Sequence, residues 1–167
     1  VTPAGQISPT QNALDDDRFI PGLRRLAAAV HDLGAKLAVQ LFHGGREVHR
    51  WQKSLGKPAL GPCALAKGED PYFAGACQAM DEDEIAATVA AFGQAARRAK
   101  EAGCDAVQVH GAHAYLFSQF LSPFSNRRQD AWGGSLDNRL RLHLESYRAI
   151  RAQVGPDFPV LIKLGLA

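Results

Sequence analysis

The sequence predicts an α/β fold with a parallel β-sheet, either a doubly wound open sheet or part of a (β/α)8 barrel. Three helical patterns alternate along the chain with three short apolar runs, and strands separated by amphipathic helices form parallel sheets through right-handed crossovers. The links from helix to strand are short, whereas the two long connections, residues 43–80 and 111–138, follow strands. In both architectures the chemistry lies at the carboxyl ends of the strands, so these connections mark the expected working face.

Composition narrows the class of protein. The chain has 167 residues, 46% of them apolar, and a formal net charge of +2. The apolar fraction excludes a wholly disordered chain. The nearly neutral charge gives no electrostatic reason to expect a nucleic-acid or membrane-surface partner. No apolar stretch approaches the ~18 residues of a membrane helix. The three cysteines form neither a zinc pattern nor a disulfide framework, and we expect a cytoplasmic protein without a signal peptide.

The two ends of the chain indicate part of a larger domain. The only methionine is Met80, so Val1 is not a translation start, and residues 160–164 read as a buried strand with no element after it. We therefore expect residues 1–167 to form one partial domain.

The first helix–strand unit follows a loop-like segment, residues 1–17. Apolar residues at helical spacing predict a helix over 18–33 with Gly34 as its stop. Residues 36–42 form an apolar run typical of a strand that is buried on both faces. The connection over 43–80 has no sustained period, and a loop of this length is usually a lid or a binding loop. The apolar positions of the helix are Phe19, Leu23, Leu26, Val30 and Leu33.

The second and third units repeat this arrangement. Asp81 and Glu84 have the spacing of a capping box, which predicts a helix that ends at Gly103, and residues 105–110 form the second strand. Ser135 caps a third helix that Gly155 closes, and the third strand follows it. The predicted buried positions are Ile85, Val89, Phe92, Ala96 and Ala99 in the second helix, and Leu140, Leu144, Tyr147 and Val154 in the third.

Two histidines and a tyrosine come directly at the end of the second predicted strand. His110 and His113 are three residues apart, and Tyr115 is two residues further on. Imidazole N–H groups stabilise negative charge on a carbonyl oxygen, and a positioned phenol delivers a proton. The alternatives are that one histidine caps the strand and that Tyr115 is a core aromatic residue. A metal site that includes His43 is a further alternative, although no carboxylate or cysteine accompanies the pair at ligand spacing.

Polar residues also interrupt the other two apolar strands. Gln40 lies near the end of the first strand and Lys163 within the third. A buried amide must be hydrogen-bonded, so Gln40 pairs with backbone or a neighbouring strand, or contacts the edge of a heterocycle such as a flavin pyrimidine. A buried lysine needs an anionic partner, either a carboxylate or a ligand. With His110, these residues would form a polar ligand site on an apolar scaffold.

Two further polar segments have structural interpretations. Residues 43–46 (HGGR) are either a close backbone approach to a ligand or a tight turn. In the connection after the second strand, we expect Asp130, Arg139 and Arg141 to hold the loop through internal salt bridges and hydrogen bonds.

Two longer motifs carry a specific family resemblance. The first runs over residues 110–116 as HGAHAYL and continues as QFLSP over 119–123 and NRRQDAWGGSLDNR over 126–139; the second, over 39–46, is VQLFHGGR. These motifs closely resemble the old yellow enzyme family of FMN-dependent ene-reductases. The similar branch is the bacterial one with two histidines, which includes 2,4-dienoyl-CoA-reductase-like enzymes and NADH:flavin oxidoreductases. Trp132 replaces the tyrosine usual in the family, a change that we expect to be structural.

The resemblance implies a (β/α)8 barrel with FMN at the strand ends, of which this chain holds about the third to fifth strands. It implies that Gln40 contacts the flavin pyrimidine, and that Lys163, where many members have arginine, stabilises the reduced flavin. By the same resemblance, His110 and His113 would hold the electron-withdrawing group of the substrate, and Tyr115 would donate a proton.

The implied reaction transfers hydride from NAD(P)H through FMN to an activated, α,β-unsaturated alkene, the expected small-molecule partner. This segment does not support an iron–sulfur cluster, because it lacks the cysteine motif that binds one. Homo-oligomerisation stays open. Two alternatives are an inactive half-barrel that binds a partner through exposed sheet edges, and a metal-dependent barrel enzyme that uses His43, His110 and His113.

Overall fold

A computed structural model of the chain describes residues 1–73 and 75–165, with residues 49 and 50 described by their backbone alone. The predicted order of three helix–strand units is confirmed, with short elements added in the long connections. The helices of the described residues are α1 Ile20–His31, α2 His49–Ser54, α3 Glu82–Glu101, α4 Leu116–Leu121 and α5 Leu136–Val154, and the strands are β1 Ala38–Leu41, β2 Ala59–Gly61, β3 Cys77–Ala79, β4 Ala106–Gly111 and β5 Val160–Leu164.

The main sheet is parallel and has the strand order β1-β4-β5, with β4 in the centre. One of its faces packs against the helices, because Val107 and Val109 of β4 are buried in the same core as Phe92 of α3 and Ile150 of α5. Side chains alternate between the two faces of a strand. Gln108 lies between these two valines in β4. Its side chain, and those of the residues paired with it in β1 and β5, therefore lie on the opposite face.

The two outer strands are less buried than the sequence predicted. Burial on both faces was expected for residues 36–42 and 160–164, but Gln40 is exposed and Leu161, Ile162 and Leu164 are 47–50% exposed. Both strands lie at an edge of the sheet, each with a single neighbouring strand among the described residues. A short, mainly apolar run does not distinguish an edge strand from a central one, so the sequence could not give this difference.

The positions of the predicted helices are confirmed, but the residues predicted to form their buried faces are confirmed only in part. The side chains of Asp81 and Glu84 form both bonds of the capping box at the start of α3. Leu26 and Leu33, predicted to face inward, are 50% and 87% exposed, and α1 ends at His31, before Leu33.

The predicted inner face of α5 is confirmed only in part, since Val154 is buried as predicted but two other predicted positions are not. Leu144 and Tyr147 are 48% and 47% exposed. Two polar residues, His143 and Ser146, occupy the buried stripe, and the apolar pattern therefore gave the wrong phase. The residues of α5 that are buried are Leu142, His143, Ser146, Ile150 and Val154.

The long connections are more ordered than the sequence indicated. Residues 43–80 contain α2 and a small parallel sheet of β2 and β3, and residues 111–138 contain α4. Within the described residues, no helix has the length and apolar character needed to cross a membrane.

Candidate active site

Four polar side chains share one face of the main sheet. Gln40 pairs in register with Gln108, and His110 pairs in register with Lys163. Residues paired across parallel strands, and residues two apart in one strand, point to the same face. The sheet thus brings together Gln40, His110 and Lys163, the three strand residues that the sequence singled out, and adds Gln108.

The amides of Gln40 and Gln108 are joined to each other. Gln40 Nε2 donates a hydrogen bond to Gln108 Oε1 at 2.5 Å. Pairing with a neighbouring strand was one of the two interpretations of Gln40. This bond uses one N–H of Gln40, and its carbonyl oxygen and second N–H stay available for a ligand.

His110 is a buried, neutral hydrogen-bond donor. It is 5% exposed, and burial lowers its pKa below the ordinary value, with the neighbouring His113 and Lys163 acting in the same direction. The backbone N–H of Ala112 donates to Nδ1 at 3.3 Å. A neutral imidazole whose Nδ1 accepts a hydrogen bond carries its proton on Nε2, and Nε2–H is therefore the group that can donate to a substrate.

Rings from the end of β4 and from the residue after β1 form one cluster. The ring centroid of His110 lies 5.0 Å from those of both His113 and Tyr115. Phe42 packs edge-on against Tyr115 at 4.5 Å between centroids. The three residues predicted to act on the substrate are thus neighbours at the carboxyl end of the sheet.

The loop that holds this cluster has an uncommon backbone. His113 and Ala114 are both left-handed, with φ of 59° and 57°. Non-glycine residues rarely adopt this conformation, and such strain concentrates at functional sites. The two strained residues lie between His110 and Tyr115.

Lys163 does not have the carboxylate partner considered for it. Its side chain is half-buried, and no ion pair in the described part of the chain links it to Asp or Glu. Neither of the two partners that the sequence left open, a carboxylate or a ligand, is therefore observed for Lys163 among the described residues.

His43 is a buried histidine that is hydrogen-bonded within its own turn. Its ring is 1% exposed, and its Nδ1 accepts a hydrogen bond from Gly45 N at 3.1 Å. Burial lowers its pKa to about 3. Among residues 1–73 and 75–165, no group of three His, Cys, Asp or Glu side chains is arranged to hold a metal ion, so the structure gives the metal alternative no support.

Gln119 is a site residue that the sequence analysis quoted in a motif but gave no role. Its side chain in α4 is 1% exposed and bonds to both strand-end segments, at Ala114 O and Arg46 N. The available signal was an amide in a short helix that is otherwise almost entirely apolar, since a buried amide requires partners.

The polar loop after α4 is held internally, as expected. Asp130 accepts hydrogen bonds from Arg128 at 2.6–3.1 Å. Arg139 donates to Leu121 O at 2.8 Å, and Arg141 donates to Ala131 O at 2.7 Å. These bonds order the connection between α4 and α5.

The sequence profile of one protein family, the NADH:flavin oxidoreductase / NADH oxidase family, matches residues 1–167. The chain belongs to this family. Among curated relatives, it is 45% identical over 154 residues to a metal reductase of Desulforamulus reducens, covering 90% of this chain and 22% of the relative. It is 41% identical over 169 residues to an NADPH dehydrogenase of Halalkalibacterium halodurans, covering 100% of this chain and 46% of the relative.

A solved structure gives the same assignment. Morphinone reductase in complex with tetrahydroNAD matches with a TM-score of 0.86 and 32% identity, over 98% of this chain and 50% of that protein. The chain therefore spans half or less of the length of these proteins, and its fold is part of their (β/α)8 barrel. This confirms the old yellow enzyme assignment, and the cofactors of this family are FMN and NAD(P)H.

Proposed function

We propose that the protein containing this chain transfers hydride from NAD(P)H through FMN to an activated, α,β-unsaturated alkene. Residues 1–167 would be one partial barrel domain of that protein, carrying the substrate residues and part of the flavin site. The observation that supports the proposal most is that the rings of His113 and Tyr115 lie 5.0 Å from His110, which shares its sheet face with Gln40 and Lys163.

The donor and acceptor groups of this face fit a flavin. Gln40 has an amide oxygen and one N–H beyond the bond to Gln108, and this pair matches the imide edge of a pyrimidine ring. Lys163 offers a positive charge that no ion pair with a carboxylate neutralises in the described residues, which suits a ring that becomes anionic on reduction. FMN, when bound, supplies the hydride transfer from the nicotinamide to the alkene.

His110 and His113 would orient the substrate through its carbonyl oxygen. The neutral His110 ring donates from Nε2, and a donor fixed by burial needs no reorganisation as negative charge grows on the oxygen. A carbonyl held in this way makes the β-carbon of the alkene electron-poor. The same two side chains would also donate hydrogen bonds to other electron-withdrawing groups, such as the oxygen of a nitro group.

Tyr115 would deliver the proton that completes the reduction at the α-carbon. Its ring is held by Phe42 and His110, at 4.5 Å and 5.0 Å between centroids. The phenol Oη–H bond breaks as the α-carbon–H bond forms, and solvent later restores the proton.

The test separates the two half-reactions of the full-length, FMN-loaded protein by stopped flow. Tyr115→Phe should slow reoxidation of the flavin by 2-cyclohexen-1-one by about 100-fold or more, while flavin reduction by NAD(P)H changes little. The matched control is Tyr147→Phe on the exposed face of α5, which should alter neither step. Equal losses in both half-reactions would remove Tyr115 from the proton-donor role, and a full-length protein that binds no FMN would overturn the whole proposal.

A further inference from the structure

The side chain of Gln119 links the segments that follow β1 and β4. Its Nε2 donates to Ala114 O at 2.6 Å and to Gly44 O at 3.3 Å, and its Oε1 accepts from Arg46 N at 3.1 Å. All these partners are backbone groups, so the amide fixes the path of the main chain in both segments.

One of these bonds is made in the loop that follows β4, at the residues with strained backbone conformations. Ala114 and the preceding His113 are left-handed, at φ of 57° and 59°. A pair of such residues persists only when surrounding contacts hold it. The bond from Gln119 Nε2 to Ala114 O is the shortest of the three bonds that this amide makes. Ala114 directly precedes Tyr115 in the chain.

The segment after β1 is shaped to receive this amide. Gly45 has φ of 60°, and a Cβ atom at this position would overlap the side-chain amide of Gln119. Only glycine permits both this backbone conformation and this approach. The close packing shows, independently of the hydrogen bonds, that the segment after β1 is fitted to the Gln119 amide.

We propose that Gln119 is a positioning residue that sets His113 and Tyr115 relative to His110 for the proton-transfer half of the reaction. The inference rests on the proposed function. Gln119 has 1% exposure and acts through the backbone of residues 113–115 without contact with substrate. Loss of its amide would let the left-handed pair relax and would move the phenol away from the α-carbon.

A role in folding alone is the competing explanation, and a double variant distinguishes the two. Gln119→Met removes the amide, keeps the side-chain volume and costs stability. Ala114→Gly removes the steric penalty of the left-handed conformation at residue 114. In the double variant Gln119→Met/Ala114→Gly we expect recovery of much of the lost thermal stability but no recovery of the proton-transfer step, because glycine tolerates the conformation without fixing it.

The experiment uses the full-length, FMN-loaded protein with 2-cyclohexen-1-one as the probe. We expect the double variant to reoxidise its flavin about tenfold or more slowly, with a reduction rate by NAD(P)H close to that of the unmodified protein. Gln129→Met, at an exposed glutamine of the same connection, is the matched control and should change neither rate. Recovery of the reoxidation rate together with stability would overturn the positioning role.

Backbone hydrogen–deuterium exchange separates failure of this inference from failure of the proposed function. Gln119→Met should speed exchange at Arg46 N, which loses its acceptor, and at residues 113–116. This result is expected whether or not the enone is a substrate. Unchanged exchange in these segments would contradict the inference, whereas unmodified protein that cannot reduce any activated alkene would contradict the proposed function alone.

Discussion

Gln40 and Gln108 are joined side chain to side chain across neighbouring parallel strands, with Gln40 Nε2 donating to Gln108 Oε1 at 2.5 Å. Their Cα atoms are paired in register, so the bond lies across the sheet. Because Gln108 accepts from the Gln40 N–H, it determines which way the Gln40 amide faces. The remaining Gln40 oxygen and N–H are then presented as a fixed acceptor–donor pair.

This arrangement predicts that Gln40 contributes directly to FMN binding. Gln40→Leu should weaken FMN binding by the full-length protein about tenfold, because two hydrogen bonds of about 1 kcal/mol each are partly offset by the apolar replacement. Fluorescence titration of the apoprotein with FMN measures the effect. Gln78→Leu, at an exposed position of β3, is the control. An unchanged dissociation constant for Gln40→Leu would mean that the amide serves the sheet alone.

Substitution of His110 should affect recognition of the substrate carbonyl. His110→Leu removes the buried Nε2–H donor and should raise the KM for 2-cyclohexen-1-one by about tenfold, whereas His110→Asn keeps an N–H donor and should lose less. Steady-state kinetics of the full-length protein measure both parameters.

The control for this prediction is His31→Asn. His31 bonds Asp105 at the opposite end of β4, at 2.7 Å, and its replacement should leave the KM unchanged. Equal KM values for His110→Leu and the unmodified protein would assign His110 to capping of the strand, the alternative that the sequence left open.

The sequence located the site because parallel strands end at a common edge. Polar residues near the ends of three apolar runs had to meet there if the sheet was parallel, and Gln40, His110 and Lys163 do share one face. What the sequence could not give depends on tertiary contacts. The role of Gln119 requires knowledge that two distant segments meet around α4, and the phase of α5 is hidden by buried His143 and Ser146.

A buried ion pair stabilises the connection after β1. Arg46 Nη1 lies 2.7 Å from Asp70 Oδ2, and both side chains are almost fully buried. Burial alone would raise the pKa of Asp70, but the Tyr72 N–H and the Arg46 guanidinium outweigh it and hold the pKa below its usual range. Asp70→Asn removes the closer of the two carboxylates near the buried guanidinium and leaves only Glu47, at 3.4 Å from Arg46 Nε, which should lower the free energy of unfolding by about 3 kcal/mol.

Urea unfolding of the full-length protein at neutral pH measures this change. Asp157→Asn, at an exposed position in the link before β5, is the control and should change stability little. Because the pKa of Asp70 is lowered in the folded state, its contribution is present above the ordinary carboxyl pKa and is lost as the pH falls through the folded value. A loss for Asp70→Asn no larger than that of the control would show that the pair contributes no net stability.

Buried His143 should make the protein less stable in mild acid. Its side chain is 8% exposed and packs edge-on against Phe117 at 5.0 Å, and neither ring nitrogen has a hydrogen-bond partner among the described residues. Burial lowers its pKa from 6.5 to about 4. Above pH 6.5 the ring is neutral in both states. As the pH falls below this value the unfolded chain binds the proton first, and the free energy of unfolding drops by about 1.4 kcal/mol per pH unit until the folded ring also titrates.

The variant His143→Leu should remove this part of the pH dependence. The measured quantity is the free energy of unfolding of His143→Leu minus that of the unmodified protein. This difference should grow by about 2 kcal/mol as the pH falls from 7.5 to 5, because pH 5 lies about 1.5 units below the unfolded pKa. His43, whose pKa is also lowered by burial, to about 3, gives the same slope in both proteins and cancels in the comparison. Parallel stability curves for the two proteins would show that His143 already accepts a proton in the folded state near its ordinary pKa, and would contradict the burial of an unpaired ring between α4 and α5.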